Sequence, residues 1–184
     1  ITPAASIKVV IAPTDNSINP SLDYVVNQLP SAHVVNVSFG GGESVVSDLT
    51  LIQSDQRYKQ AASQGQSVFV ASGDDGVQQF TLGSQLSTGP DVNRLCSSPN
   101  TTCVGGTNLN PVFDSNGNVT EYGAETAWSG SGGGKSRYYP KPAYQFGPGV
   151  PSDGMRDVPD VAAMASPSQQ GAFWYQGGVL RCCL

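Results

Sequence analysis

With 184 residues, 38% of them apolar and only 12% charged, and with 22 glycines and 13 prolines, the chain has the size and make-up of one loop-rich globular domain, not of a disordered segment. Its net charge of −5 and its nine scattered Lys and Arg form no basic patch, which argues against nucleic acid as a partner, and no apolar run approaches the length of a membrane span, so no membrane is expected. Sparse charge of acidic sign is expected of a secreted or extracytoplasmic protein, one that works in acid, because few titrating groups leave little repulsion to build up as pH falls.

Along the chain, Ser6–Ile11 predicts a first strand. Asn19-Pro20 then opens a helix to about Leu29, with Asn19 as the N-cap and Pro20 at the first helical position. Ala32–Phe39 predicts a second strand, ending in Gly40-Gly41-Gly42. In its middle, Asn36 is expected to be buried. A longer helix runs from about Ser47 to Ser63, closed by Gly65. The apolar run Ser67–Ala71 predicts a third strand of the kind buried in a parallel sheet. This β-α-β-α-β order implies a parallel sheet with right-handed crossovers. Residues 80–150 read as short strands and turns. Thr107 to Thr120, with Asn116-Gly117 at its turn, predicts a β-hairpin. Residues 129–136 read as a Ser/Gly loop and Val158–Ala163 as one more short strand. No repeat is visible.

Among the four cysteines, Cys96 and Cys103 bracket a Ser/Pro/Asn/Thr loop and are candidates for a local disulfide in an oxidising compartment. The adjacent Cys182 and Cys183 read as a truncation scar or an intermolecular cross-linking hazard. Ile1, with no initiator Met or leader pattern around it, reads as an internal start. One His and no Cys-x-x-Cys pair argue against a zinc site. Three stretches match the glycosylation sequon: Asn36-Val37-Ser38, Asn100-Thr101-Thr102 and Asn118-Val119-Thr120.

Two familiar chemistries fit poorly. The Gly130–Ser136 run looks like a phosphate-binding loop, but Ser129 stands where that pattern needs glycine and no clear strand feeds it. A Ser-His-Asp triad would have to use His33, the sole histidine, at the start of an apolar strand. If the chain hydrolyses anything by nucleophilic attack, its base must be something else, and the obvious stock is carboxylates. The most telling carboxylate is Asp74 in Ser72-Gly73-Asp74-Asp75-Gly76. It sits on a glycine-flanked turn at the end of a predicted buried strand, where α/β enzymes place their chemistry.

The order of motifs narrows this further. Val37-Ser38-Phe39-Gly40-Gly41 is followed by Ala71-Ser72-Gly73-Asp74-Asp75-Gly76, then Cys96-Ser97-Ser98-Pro99 and Val104-Gly105-Gly106-Thr107. After these come Glu125-Thr126-Ala127-Trp128, Ser131-Gly132-Gly133-Gly134-Lys135-Ser136 and Asp157-Val158-Pro159-Asp160-Val161. Together they resemble the sedolisin family, the serine-carboxyl peptidases. The resemblance implies an α/β fold, a three-layer subtilisin-like parallel sheet with helices on both faces, incomplete at both ends. Residues 1–184 then form a single partial peptidase domain that hydrolyses peptide bonds at acidic pH.

By the same resemblance Asp74 matches the oxyanion-hole Asp. A protonated carboxyl there donates a hydrogen bond to the developing oxyanion. Ser38, Phe39 and Gly40 match the substrate-binding segment, where an extended peptide adds to a strand edge. Ser72 and Gly73 match the opposite wall. Gly132 to Gly134 are expected to be structural, and Asp160 to brace a loop. The Glu/Asp base pair would lie upstream of Ile1, and the nucleophilic Ser and the family's calcium ligands beyond the segment matching Gly171–Gly178. The chain alone is therefore expected to be inactive and to hold no cofactor. Its expected partners are a peptide or protein substrate and, through uncovered sheet faces, a second copy of itself. Two alternatives stand beside this: a non-catalytic remnant that binds peptides, and an unrelated α/β structural domain.

Overall fold

The computed structural model describes residues 4–12, 18–81, 83–167, 174–176 and 179–181. Cys182, Cys183 and most of the Gly171–Gly178 segment lie outside them. The chain order is helix α1 (Asn19–Gln28), strand β1 (Val34–Val37), a 3₁₀ turn (Glu43–Val45), helix α2 (Asp48–Ser63) and strand β2 (Ser67–Ala71). Strands β3 (Thr102–Phe113), β4 (Val119–Ala127), β5 (Gly134–Pro140), β6 (Met155–Val158), β7 (Val161–Met164), β8 (Trp174–Gln176) and β9 (Val179–Arg181) follow.

β1, β2 and β3 run parallel, side by side, with β7 parallel to the first half of β3 and β4 antiparallel to its second half. Val35 and Val37 of β1 stand opposite Val68 and Val70 of β2, and all four point to one buried face. Tyr58 and Ala61 of α2 and Leu22 and Val26 of α1 join them in the core. The buried positions of α2, Leu51, Ser54, Asp55, Tyr58 and Ala61, recur at helical spacing and form one stripe. Ser47 caps this helix by accepting from the Thr50 amide at 3.3 Å. Buried Asp55 reaches off α2 to accept from Ser98 Oγ and Asn100 Nδ2, each at 2.7 Å, and so ties the loop before β3 to the helix. Cys96 and Cys103 are joined as a disulfide, both fully buried, with their Cα atoms 5.0 Å apart.

Several expectations change. Residues 6–11 form no strand among the described residues; Ile7, Val9 and Ile11 are more than 80% exposed. β-branched residues favour an extended chain, but a strand exists only where a neighbour takes its hydrogen bonds. Asn19 is the first helical residue rather than the cap. Ile18 occupies the cap position without a side-chain hydrogen bond, and Pro20 falls one place later than expected. Asn36 is exposed, because Val35 and Val37 take the inward positions on either side of it. The single strand expected over Val158–Ala163 is two. Pro159 has no amide hydrogen to continue a ladder, so β6 pairs with β5 before it and β7 with β3 after it. The last residues of the expected Ser/Gly loop, Gly134 to Ser136, belong to β5.

The hairpin turns where Asn116-Gly117 placed it, but its arms are longer, from Thr107 opposite Ala127 out to Phe113 opposite Val119. All of β4 is exposed, as is all of β7. At the tip, Asp114 accepts from Asn118 Nδ2 and from the Asn118 and Asn116 amides at 2.8–3.0 Å. The Asn118 side-chain bond, then its backbone bond, holds the Asp114 carboxyl below its ordinary value. The folded turn therefore favours the charged form. Its stabilisation is complete above the ordinary carboxylate range and is lost as pH falls through the lowered folded value. The amide signals of Asn116 and Asn118 should report an ordered turn until the pH lies below that range. If both amides lose their order at the ordinary carboxylate pKa, the bonds are not formed in solution.

Candidate active site

The β1–β2 ladder ends at Val37 opposite Val70, while Ala71 still pairs with Val104 on the other side. Beyond that point β2 delivers three successive carbonyls that no sheet neighbour takes. Asn93 Nδ2 donates to the Ala71 oxygen at 2.7 Å, Gln79 Nε2 to the Ser72 oxygen at 3.0 Å and the Gly132 amide to the Gly73 oxygen at 2.9 Å. The Ser72 amide, for its part, donates to the Val104 oxygen at 2.8 Å. Buried polar groups need partners, and here each bond pins one residue of the turn. Gly73 has φ of +114°, a conformation open to glycine, which swings the next residue outward. Asp74 is thus exposed at the C-terminal end of a central parallel strand. Among the described residues its carboxyl makes no hydrogen bond. The Gly76 amide donates to the Gly130 oxygen at 2.9 Å and closes the turn against the Ser/Gly loop.

Gly132 allows this closeness, since a Cβ there would fall inside the van der Waals shell of the Ser72 carbonyl oxygen. Gly132→Ala should therefore displace the Asp74 turn and destabilise the fold by about 1–3 kcal/mol, the usual cost of forcing extra volume into a packed site. An unchanged unfolding midpoint for that variant would show the turn is not held by this contact.

On the facing side, Ser38, Phe39 and Gly40 leave β1. All three are exposed, Phe39 by 67% of its surface, and the Phe39 oxygen accepts from Asn93 Nδ2 at 2.9 Å. Behind them the Gly42 amide donates to the Phe80 oxygen and the Arg94 amide to the Gly41 oxygen, both at 2.9 Å. Fully buried Glu43 accepts from Ser136 Oγ at 2.7 Å and from the Arg137 amide at 2.8 Å, which locks this segment to β5.

The fold therefore brings Ser38–Gly40 and Ser72–Asp74 together at the C-terminal ends of adjacent parallel strands, within the reach of one side-chain amide. Ser72 is only 2% exposed, so it backs the turn, and the accessible surface belongs to Gly73 and Asp74. His33 precedes β1, at the opposite end of the sheet from Asp74. Asp160 braces the start of β7. Its carboxylate takes a two-pronged ion pair from buried Arg156 at 2.5 and 2.6 Å and also accepts from the Cys103 amide at 2.8 Å. A cavity of about 910 Å³, lined by Tyr144, Phe146, Pro151, Asp153 and Asp160 among others, contains none of the Asp74-site residues. Among the described residues no group of His, Cys, Asp and Glu converges to hold a metal, and no helix is long and apolar enough to cross a membrane.

Sequence reasoning missed Asn93 and Gln79, the two buried amides of the site. Nothing local marks them. Their partners lie 54, 22 and 7 residues away, and only the folded chain identifies them.

No protein-family profile matches the chain. It is 35% identical to Sedolisin from Pseudomonas sp. (strain 101) over 183 residues, which is 89% of this chain and 29% of that protein. It is 30% identical to Kumamolisin from Bacillus sp. (strain MN-32), over 91% of this chain and 31% of that protein. Tripeptidyl-peptidase 1 from Homo sapiens is 29% identical over 76% of this chain and 26% of its own length. The chain thus spans less than a third of each of these relatives. Among solved structures it matches Pseudomonas sedolisin, a serine-carboxyl proteinase complexed with two molecules of pseudo-iodotyrostatin. The TM-score is 0.68 and the identity 31%, over 92% of this chain and 47% of the solved one. Over the stretch it spans, the chain belongs to the sedolisin family, as a serine-carboxyl peptidase-like domain with the family's subtilisin-like fold.

Proposed function

We propose that these residues form the middle of a serine-type peptidase domain that hydrolyses peptide bonds in acid, outside the cytoplasm. Asp74 supplies the oxyanion-hole carboxyl. The observation that carries this reading is the placement of Asp74, exposed and without a hydrogen-bond partner among the described residues, on a turn whose three preceding carbonyls are each pinned. A donor aimed at developing charge works best when it need not reorganise during the reaction. A carboxyl donates only when protonated, which acid favours. A carboxylate base, unlike an imidazole, still accepts protons there.

The exposed Ser38–Gly40 edge takes the extended peptide through main-chain hydrogen bonds. The nucleophilic Ser and the Glu/Asp pair are not among these 184 residues, so this stretch by itself hydrolyses nothing. Complete hydrolysis belongs to a polypeptide that carries those groups too. The apolar side chains exposed along residues 7–11, at Val34 and at Phe39 give the isolated stretch a surface for self-association.

The test is to purify from its native source the product containing this sequence, determine its intact mass, and assay it on a denatured protein across pH. A product well above 19.1 kDa that cleaves in acid and loses activity toward neutral pH supports the reading. A native product ending at Leu184 that binds extended peptides without cleaving them replaces it with a peptide-binding module.

A further inference from the structure

We propose that Asn93 is a positioning residue that sets the width of the substrate cleft, an inference that rests on the peptidase reading above. Asn93 is 1% exposed, in the long connection between β2 and β3. Both hydrogens of its amide are used, one on each wall. Nδ2 donates to the Phe39 oxygen at 2.9 Å and to the Ala71 oxygen at 2.7 Å, while Oδ1 accepts from the Leu95 amide at 3.0 Å.

These two carbonyls lie just past the last β1–β2 pair, Val37 opposite Val70. In a continuing parallel ladder they would turn toward a neighbouring strand. Here the ladder has ended, and one planar amide joins the two carbonyls in its place. A carboxamide offers two hydrogens and an acceptor in fixed geometry. Leucine of the same shape offers none of these, and an ionised aspartate cannot donate.

The Asn93 backbone is held as firmly as its head. It bridges Gly42, and its carbonyl accepts from the Cys96 and Ser97 amides at 3.0 Å. The next residue, Arg94, donates to the Gly41 oxygen. The bonds to Gly41 and Gly42 seat Asn93 on the Ser38–Gly42 segment, and its amide reaches from there to the Ala71 carbonyl on the other side. Ser38–Gly40 and Gly73–Asp74 keep their separation because both are tied to it. A peptide long enough to pair with the β1 edge while its scissile carbonyl meets Asp74 depends on that separation. A peptide too short to reach β1 depends on it less.

The experiment uses the full native protein with Asn93→Leu, and Asn93→Ser as the variant kept if the first fails to fold. Two readouts are taken: kcat and KM on a long and a short peptide, and hydrogen exchange over residues 38–42 and 71–76. The variant should lose about tenfold more kcat/KM on the long peptide than on the short one, mainly through KM, as expected for losing a buried bridging hydrogen bond. Exchange should quicken in both segments together. Equal losses on the two peptides, or faster exchange in one segment alone, would overturn the assignment. If the wild type cleaves neither peptide, the peptidase reading fails, and joint loosening of both segments still decides whether Asn93 ties the walls.

Discussion

On the peptidase reading, replacing Asp74 by alanine in the full native protein should lower kcat by about 10²–10³, or ~3–4 kcal/mol of transition-state stabilisation, with KM little changed. The loss falls on kcat because a ground-state carbonyl carries less charge than the oxyanion and so gains less from the donor. The side chain is exposed and, among the described residues, unbonded, so its removal should leave the unfolding midpoint near that of the wild type. Asp74→Asn keeps a donor of similar reach that needs no added proton. It should retain more activity than the alanine variant, and its activity should depend less on acid. Single-turnover kinetics on a chromogenic peptide across pH separate these cases. If the alanine variant stays within a few-fold of wild type, Asp74 does not meet the oxyanion and the site assignment is wrong.

Arg156→Met should be among the most damaging changes away from the Asp74 turn, at about 3–5 kcal/mol, because it leaves the Asp160 carboxylate, whose side chain is 18% exposed, without its cation. Arg156 is fully buried, and besides Asp160 it donates to the Asp157 oxygen at 2.8 Å and lies 5.8 Å from the Tyr144 ring centre. Asp160 in turn holds the Cys103 amide, so the ion pair links β6, the start of β7 and the disulfide-bonded end of β3. For a chain of this size the loss should lower the thermal midpoint by roughly 10 °C. Arg156→Met combined with Asp160→Leu should recover part of it, since removing both charges also removes the uncompensated one. Thermal melts of the wild type and the two variants decide the matter. A single variant that melts with the wild type would show that Asp160 finds solvent or another partner.

Some of this architecture is legible residue by residue. β2 runs from Ser67 to Ala71 as its apolar run predicts, and α2 begins after the Ser47 cap because a hydroxyl there satisfies an otherwise free amide. The Asn116-Gly117 turn and the Cys96–Cys103 bridge also depend on neighbours in sequence. Where expectation failed, a distant partner decided. Residues 6–11 have a strand's composition but no strand beside them. Asn36 sits in an apolar run yet faces outward, because β1 aligns Val35 and Val37 with α1 and α2. Pro159 divides one expected strand into two that join different sheets.

By itself the sequence determined the alternation of strands and helices in the first half, the glycine-flanked turn carrying Asp74, and the ordered motifs that resemble the sedolisin family. These are short-range properties, set by side-chain period, capping chemistry and backbone freedom. The resemblance already set Ser72 and Gly73 opposite Ser38–Gly40; only the tertiary structure decided that Asn93 and Gln79 pin the carbonyls behind them and that Ser72 is buried. Those facts rest on hydrogen bonds between groups up to 54 residues apart. An amide side chain in the sequence does not show which carbonyls it will satisfy; burial of those carbonyls, which must find a donor once water is excluded, selects the partner.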